Sequence, residues 1–166
     1  MHNRGITFQR IDADIDEYLV NKSGKAKIVD PATNKSREDQ IKDIFEALKE
    51  GELKDQLTIR LENLKSTDIS GMILLSEHAR RMAEMSSLLQ GRLPEKKIGE
   101  HTLVVNTAHP VIDKICVLAE KNEKEKVMRL VRHIYDLAMM QQRPFSGEEL
   151  TAFISRTNSL MSEIPV

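Results

Sequence analysis

The sequence lacks most of what enzymes, metal proteins and disulfide scaffolds require. Of its 166 residues only Cys116 is a cysteine, so no internal disulfide can form and a reducing cytoplasm is expected. No phosphate-binding glycine loop, nucleophile elbow or metal-ligand spacing occurs. No apolar run approaches the ~20 residues that cross a bilayer, and no leader-like segment opens the chain. These absences predict a soluble, unexported protein without a catalytic, cofactor or metal site and without a membrane partner.

An excess of one charge is also missing. Lys and Arg number 25 and Asp and Glu 26, for a net charge of −1, which argues against a nucleic-acid partner. There is no Trp, and four Phe and two Tyr stand beside eight Met. Methionine repacks easily, so the excess indicates either core filler or an adaptable binding surface.

The reactive residue types have ordinary explanations. The five histidines are scattered, without the paired spacing of metal ligands. Cys116 lies in an apolar helical pattern with no cation on its own face, which favours a core position over a nucleophile. We therefore expect these residues to be structural.

Alternation of apolar and polar residues predicts the strands. A short strand is expected at 6–11, with a weak edge strand at 25–29. Further strands are expected at 57–62, 69–75 and 101–106, the first two joined as a hairpin across a turn at 66–68.

Helical spacing and capping residues predict the helices. A first helix begins after Ser36 and ends at Gly51, and a second begins after Ser76 and runs to about Gln90. The last three are predicted from proline and capping-box signals at 109–120, 122–141 and 146–162. The fold class is thus α+β: a small mixed sheet with flanking helices, then a C-terminal helical hairpin. We expect one domain over 1–166, with an α/β body at 1–106 and a helical part at 107–166.

The last two predicted helices carry more apolar residues than a simple hairpin needs. Two antiparallel helices with spare apolar faces commonly meet a second copy in a four-helix bundle. The alternative is that the hairpin packs on its own sheet and the chain stays monomeric. The predicted interface residues are Val127, Val131, Ile134, Tyr135, Ala138, Met139, Leu150, Phe153, Ile154 and Leu160.

A second apolar stripe follows Ser76, beside Arg80 and Arg81. It is formed by Met82, Met85, Leu88 and Leu89. The stripe either lies against the sheet or forms an exposed, adaptable patch for non-native polypeptide.

Several segments together resemble the C-terminal domain of bacterial heat-shock protein 90 chaperones, the HtpG family. They are LKDQLTIRLENLKSTDISGMILLSEHARRMAEM, HTLVVNTAHPVIDKI and IYDLAMMQQRPFSGEELTAFISRTNSLM, with FQRIDADIDEYL near the start. The second segment shows the strand, Asn and His-Pro helix start that the family has there. These segments occur in the family's order and cover most of the chain.

The resemblance implies a homodimeric, ATP-driven chaperone of which this chain is the dimerisation domain. It implies that Val127–Met140 and Leu150–Met161 form the dimer bundle and that the Met82 and Met85 helix contacts client proteins. The family's nucleotide-binding and middle domains are absent, so ATP and Mg would be cofactors of the intact protein only, and we expect no ATP hydrolysis here. The ending Glu163–Val166 lacks the acidic co-chaperone tail of eukaryotic members. Expected partners are a second copy and unfolded clients; the alternative is an unrelated adaptor or scaffold whose hairpin binds a dedicated protein.

Overall fold

The computed structural model describes residues 36–50, 53–88 and 99–163, and the predicted α+β class is confirmed. The predictions for 6–11, 25–29 and Leu89 fall outside these ranges, and the first helix ends at Glu46, short of the predicted end at Gly51. No helix within them is long and apolar enough to span a membrane. The elements are α1 (Arg37–Glu46), β1 (Leu57–Glu62), β2 (Gly71–Leu75), α2 (Glu77–Leu88), β3 (His101–Asn106), α3 (Pro110–Glu120), α4 (Lys124–Met140) and α5 (Gly147–Ser162).

The three strands form one mixed sheet in the order β1-β3-β2. β3 runs parallel to β1 and antiparallel to β2. The predicted hairpin between β1 and β2 is therefore wrong, because β3 lies between them. Burial explains the order: β3 is buried at nearly every position, whereas β1 alternates between buried and exposed residues near its start, as a half-covered edge strand does.

One continuous core lies between the sheet and α1, α3 and α4. Its fully buried centre combines side chains from all of these layers: Ile41, Phe45, Leu103, Val105, Ile112, Ile115, Val131 and Ala138. The core thus extends across the boundary predicted after Asn106. Gly71 lets α4 approach the sheet, because a Cβ there would lie 3.1 Å from the Val104 carbonyl oxygen and 3.2 Å from Ile134 Cγ2.

The helix starts follow the predicted capping chemistry in four cases. At α2, Ser76 Oγ accepts a hydrogen bond from the Ala79 amide at 3.2 Å. Ser36 and Ser146 each form a capping box with the carboxylate three residues later, at the starts of α1 and α5. At α3, His109 Nδ1 accepts a hydrogen bond from the Val111 amide at 3.1 Å, and Pro110 occupies the first helical position.

The capping box predicted at 122–125 is wrong. The residue before α4 is Glu123, and its side chain caps nothing. Asn122 instead has φ of 61°, and the amides of Asn122 and Glu123 return to the carbonyls of Ala119 and Leu118. This left-handed Schellman turn ends α3, a use for which Asn is suited because it tolerates positive φ.

Asn106 holds together the loops at the end of β3. Its side chain is fully buried and makes four hydrogen bonds to backbone groups. The amide nitrogen donates to the Ser66 and Ile69 carbonyls, each at 2.7 Å, and the oxygen accepts from the Leu64 and Ala108 amides, each at 3.1 Å. One side chain thus fixes the β1–β2 connection and the entry to α3.

Candidate protein-interaction surfaces

The α4–α5 hairpin has one side in the core and the other toward solvent. α4 contacts β2 and α3, whereas α5 contacts chiefly α4. α5 contains 16 residues, and none of them is buried. A helix of this length is marginal in water unless an apolar face is packed. Within the hairpin, α5 is therefore the helix with little cover from its own chain.

Polar side chains join α5 to α4, and we call this contact the polar seam. The Arg156 guanidinium donates to the Asp136 carboxylate, which also faces Arg132 at 3.3 Å. Farther along, Arg129 donates to Ser159 Oγ at 2.7 Å and pairs with Glu163 at 2.5 Å. Burial raises the pKa of Asp136, while the guanidinium groups of Arg132 and Arg156 oppose that rise. The helices are thus joined by charge-assisted hydrogen bonds.

Aromatic rings line the seam beside Asp136. His133 stacks on Phe153 with 4.9 Å between ring centroids, and Phe145 meets Phe153 edge-on at 5.9 Å. His133 Nδ1 is buried without a hydrogen-bond partner, and burial lowers the pKa of this imidazole. The neutral ring is therefore the form that suits the packed hairpin, because protonation would add a buried donor without an acceptor.

The predicted interface residues divide into two groups. Six lie on α4 in the protomer's own core: Val127, Val131, Ile134, Tyr135, Ala138 and Met139. Because their side chains are covered by their own chain in the protomer, they offer little surface to a partner, and their assignment to an interface stays a prediction. On α5, Leu150 and Ile154 are exposed, and Phe153 and Leu160 are half-buried.

The exposed apolar surface of the hairpin forms what we call the outer strip. Its members are 40–55% exposed and comprise Leu137, Met140, Leu150, Ile154 and Met161. Leu137 lies one turn after His133, and Leu150 lies about one turn before Phe153. Because those two rings stack on each other, Leu137 and Leu150 lie on the same side of the hairpin and at the same level.

Three members of the outer strip were not among the ten named interface residues, although the two helical ranges expected to form the bundle include them. Leu137, Met140 and Met161 belong to the same apolar runs as the predicted residues. Nothing in the runs says which part of an over-apolar helix faces the protomer's sheet. The sequence did indicate that some of them would be exposed, because the apolar arc on α4 is wider than one packing partner covers.

A second exposed apolar surface lies on α2. Met82 and Met85 are 56% and 60% exposed. Leu88 is the last residue of this helix. The Glu77 carboxylate pairs with Arg80 and Arg81 on the same helix, and these hydrogen bonds lower the pKa of Glu77. Met82 and Met85 therefore offer flexible apolar surface beside a charged face.

The reactive side chains of Cys116 and His101 are both enclosed in part by other residues of the fold. Cys116 is half-buried, and burial raises the pKa of its thiol even though the fold brings the Arg37 guanidinium near it from α1. His101 Nε2 lies 3.0 Å from the Tyr135 hydroxyl, and its Nδ1 lies 2.7 Å from the Gly99 carbonyl oxygen. Over the described ranges, no three His, Cys, Asp or Glu residues cluster as metal ligands. The candidate sites described here are therefore the two exposed apolar surfaces, the outer strip and the exposed part of α2.

Comparison with known sequences decides the family. The family model described as Hsp90 protein matches residues 5–164. The chain belongs to the Hsp90 family. Among curated relatives, the Chaperone protein HtpG of two Porphyromonas gingivalis strains is 30% identical over 125 residues. That match covers 72% of this chain and 17% of each relative, so the chain spans only a small part of the Hsp90 proteins it matches.

Proposed function

We propose that this chain is the homodimerisation and client-contact part of an ATP-dependent Hsp90-type chaperone, which assists protein folding in the cytoplasm under stress. ATP binding and hydrolysis would belong to other parts of the intact protein. Membership of the Hsp90 family supports the chaperone role. The presence of two exposed apolar surfaces supports two separate roles. The outer strip would face a second copy, and α2 would face client proteins.

The observation that carries the dimer proposal is the lack of any buried residue in α5. The helix presents polar groups to α4 and leaves Leu150, Ile154 and Met161 exposed. Docking two hairpins in a four-helix bundle would cover the strip of each protomer with that of the other. Such an interface is isologous, since the same residues lie on both sides.

The apolar area suggests a reversible dimer. Complete burial of one large apolar side chain stabilises by about 1.5–3 kcal/mol. Two strips of five half-exposed residues would therefore contribute roughly 10 kcal/mol. Association costs about 4–15 kcal/mol, which is of the same order. We accordingly expect a dimer whose dissociation can be measured by dilution.

Sedimentation of the chain over a concentration series tests the dimer. Ile154→Glu should weaken it at least about a hundredfold, because both protomers lose apolar burial and each places a carboxylate in the interface. The control is Ser155→Glu, an exposed position about 100° around the helix axis. Ile134 is unsuitable for this test because it is buried in the core. A wild-type chain that stays monomeric at micromolar concentration would overturn the proposal.

Binding of a permanently unfolded test protein examines the role of α2. Met82→Ser with Met85→Ser should weaken that binding while dimerisation and melting temperature stay unchanged, because both side chains are mostly exposed. Val117→Ser is the matched control, since Val117 is an exposed apolar residue on α3. Unchanged binding in the Met variant would remove α2 from the client surface.

A further inference from the structure

A buried carboxylate lies at the centre of the polar seam. In the parts of the chain that the structure describes, the fully buried polar side chains are His101, Asn106 and Asp136. Asp136 is the acidic residue among these three. It is 7% exposed and lies on the face of α4 that α5 covers. An ionised group taken out of water needs charged or hydrogen-bonding partners, because its desolvation is costly.

Two guanidinium groups supply those partners, and only one of them crosses between the helices. Arg132 precedes Asp136 by one turn on α4, approaches it at 3.3 Å and also lies over the Tyr135 ring. Arg156 comes from the middle of α5, and its side chain is only 19% exposed. The Asp136–Arg156 pair is thus the least exposed ion pair between α5 and α4, while Arg132 satisfies the same carboxylate from within α4.

Packing between α5 and α4 near the pair includes the stack of His133 on Phe153, each about one turn from a member of the pair, but the surroundings of the pair are open. Two cavities of about 260 and 280 Å³ adjoin the pair, and Arg132 and Arg156 line both of them. Both cavities are open to solvent, so α5 packs less closely on α4 beside the pair than the core layers pack on one another. A helix with no buried residue can shift along or tilt against its neighbour unless a directional contact prevents it.

We propose that the Asp136–Arg156 pair positions α5 on α4 and thereby sets the geometry of the outer strip that a second copy would meet. The second half of this inference rests on the proposed dimer. A buried ion pair of this kind gives specificity more readily than stability, because each arrangement that separates the two charges leaves one of them buried and unpaired. Shifting α5 by one turn would produce that outcome.

Two glutamine variants separate positioning from simple charge loss. Arg156→Gln and Arg132→Gln each remove one guanidinium from the Asp136 carboxylate. Only Arg156→Gln removes an ion pair that joins α5 to α4. Amide hydrogen exchange reports on α5 directly, with β3 as the internal reference for the core. We expect Arg156→Gln to speed exchange in α5 by at least about tenfold, with β3 unchanged, and Arg132→Gln to leave both nearly unchanged. Arg156→Lys should restore much of the protection, because the charge can still reach Asp136.

Sedimentation of the same variants tests the link to the outer strip. We expect the dimer dissociation constant to rise at least about tenfold for Arg156→Gln and less than about threefold for Arg132→Gln. Equal effects of the two variants on α5 exchange, or no effect of either, would overturn the positioning role. A monomeric wild type would refute the proposed dimer, yet α5 exchange would still decide the positioning role, so the two failures can be distinguished.

Discussion

Replacement of Asn106 by Ala should destabilise the fold more than its small change in volume suggests. The side chain is fully buried and satisfies four backbone groups, three in the β1–β2 connection and one in the loop before α3. Alanine removes all four hydrogen bonds at once and leaves two carbonyls and two amides without partners. A net contribution of about 0.5–1.5 kcal/mol for each bond gives a loss of roughly 2–6 kcal/mol.

Urea denaturation followed by far-UV circular dichroism measures this loss. With a slope of about 2 kcal/mol per molar urea, we expect the midpoint to fall by roughly 1–3 M. Asn106→Asp keeps the shape and the acceptor oxygen but turns a carboxylate oxygen toward the Ser66 and Ile69 carbonyls. At neutral pH it should destabilise at least as much as alanine. The exposed Asn158→Ala is the control. A loss below about 1 kcal/mol for both Asn106 variants would refute the estimate built on four lost hydrogen bonds. It would mean that the four backbone groups find other partners.

Two further predictions concern the packing of α4 and the cap of α5. Gly71→Ala should lower the free energy of unfolding by about 1–3 kcal/mol, because its methyl group meets the β3 backbone and Ile134 on α4. Thermal unfolding measures this loss. The control Gly147→Ala should show none, because nothing lies within 4 Å of a Cβ at that position. Glu149 accepts from Arg143 and from the Ser146 amide, which lowers its pKa from 4.5 to about 2. Because the folded-state pKa is depressed, this stabilisation is present above about pH 4.5 and is lost as pH falls toward 2. Amide protection in α5, taken relative to the intrinsic exchange rate at each pH, should therefore fall over that interval in the wild type and less in Glu149→Gln. An equal fall in both would assign the effect to other carboxylates.

Local signals predicted most of the helices because capping and periodicity depend on neighbouring residues. Ser146 and Glu149 form the predicted capping box, and α5 ends at Ser162 as predicted. The failure at α4 has a local cause as well. Asn122 suits a capping box and a left-handed turn, and the sequence does not say which of these the chain uses.

Contacts between distant segments could not be predicted from such local signals. The turn at 66–68 is consistent with a hairpin, yet β3 pairs with both β1 and β2. Similarly, no pattern on α3 reveals that Arg37 lies near Cys116. The seam between Asp136 and Arg156 joins residues 20 positions apart, and their separate helical patterns give no reason to pair them.

The sequence by itself determined the α+β class, most of the helix starts and the excess of apolar residues in the last two helices, because these depend on residue spacing and local hydrogen bonding. Only the tertiary structure decided which of those apolar residues stay exposed. Ile134 and Leu137 belong to the same run on α4, but the sheet covers the first and leaves the second 40% exposed. Which side of a helix packs against its own chain depends on how distant segments meet, and a one-dimensional pattern does not contain that information.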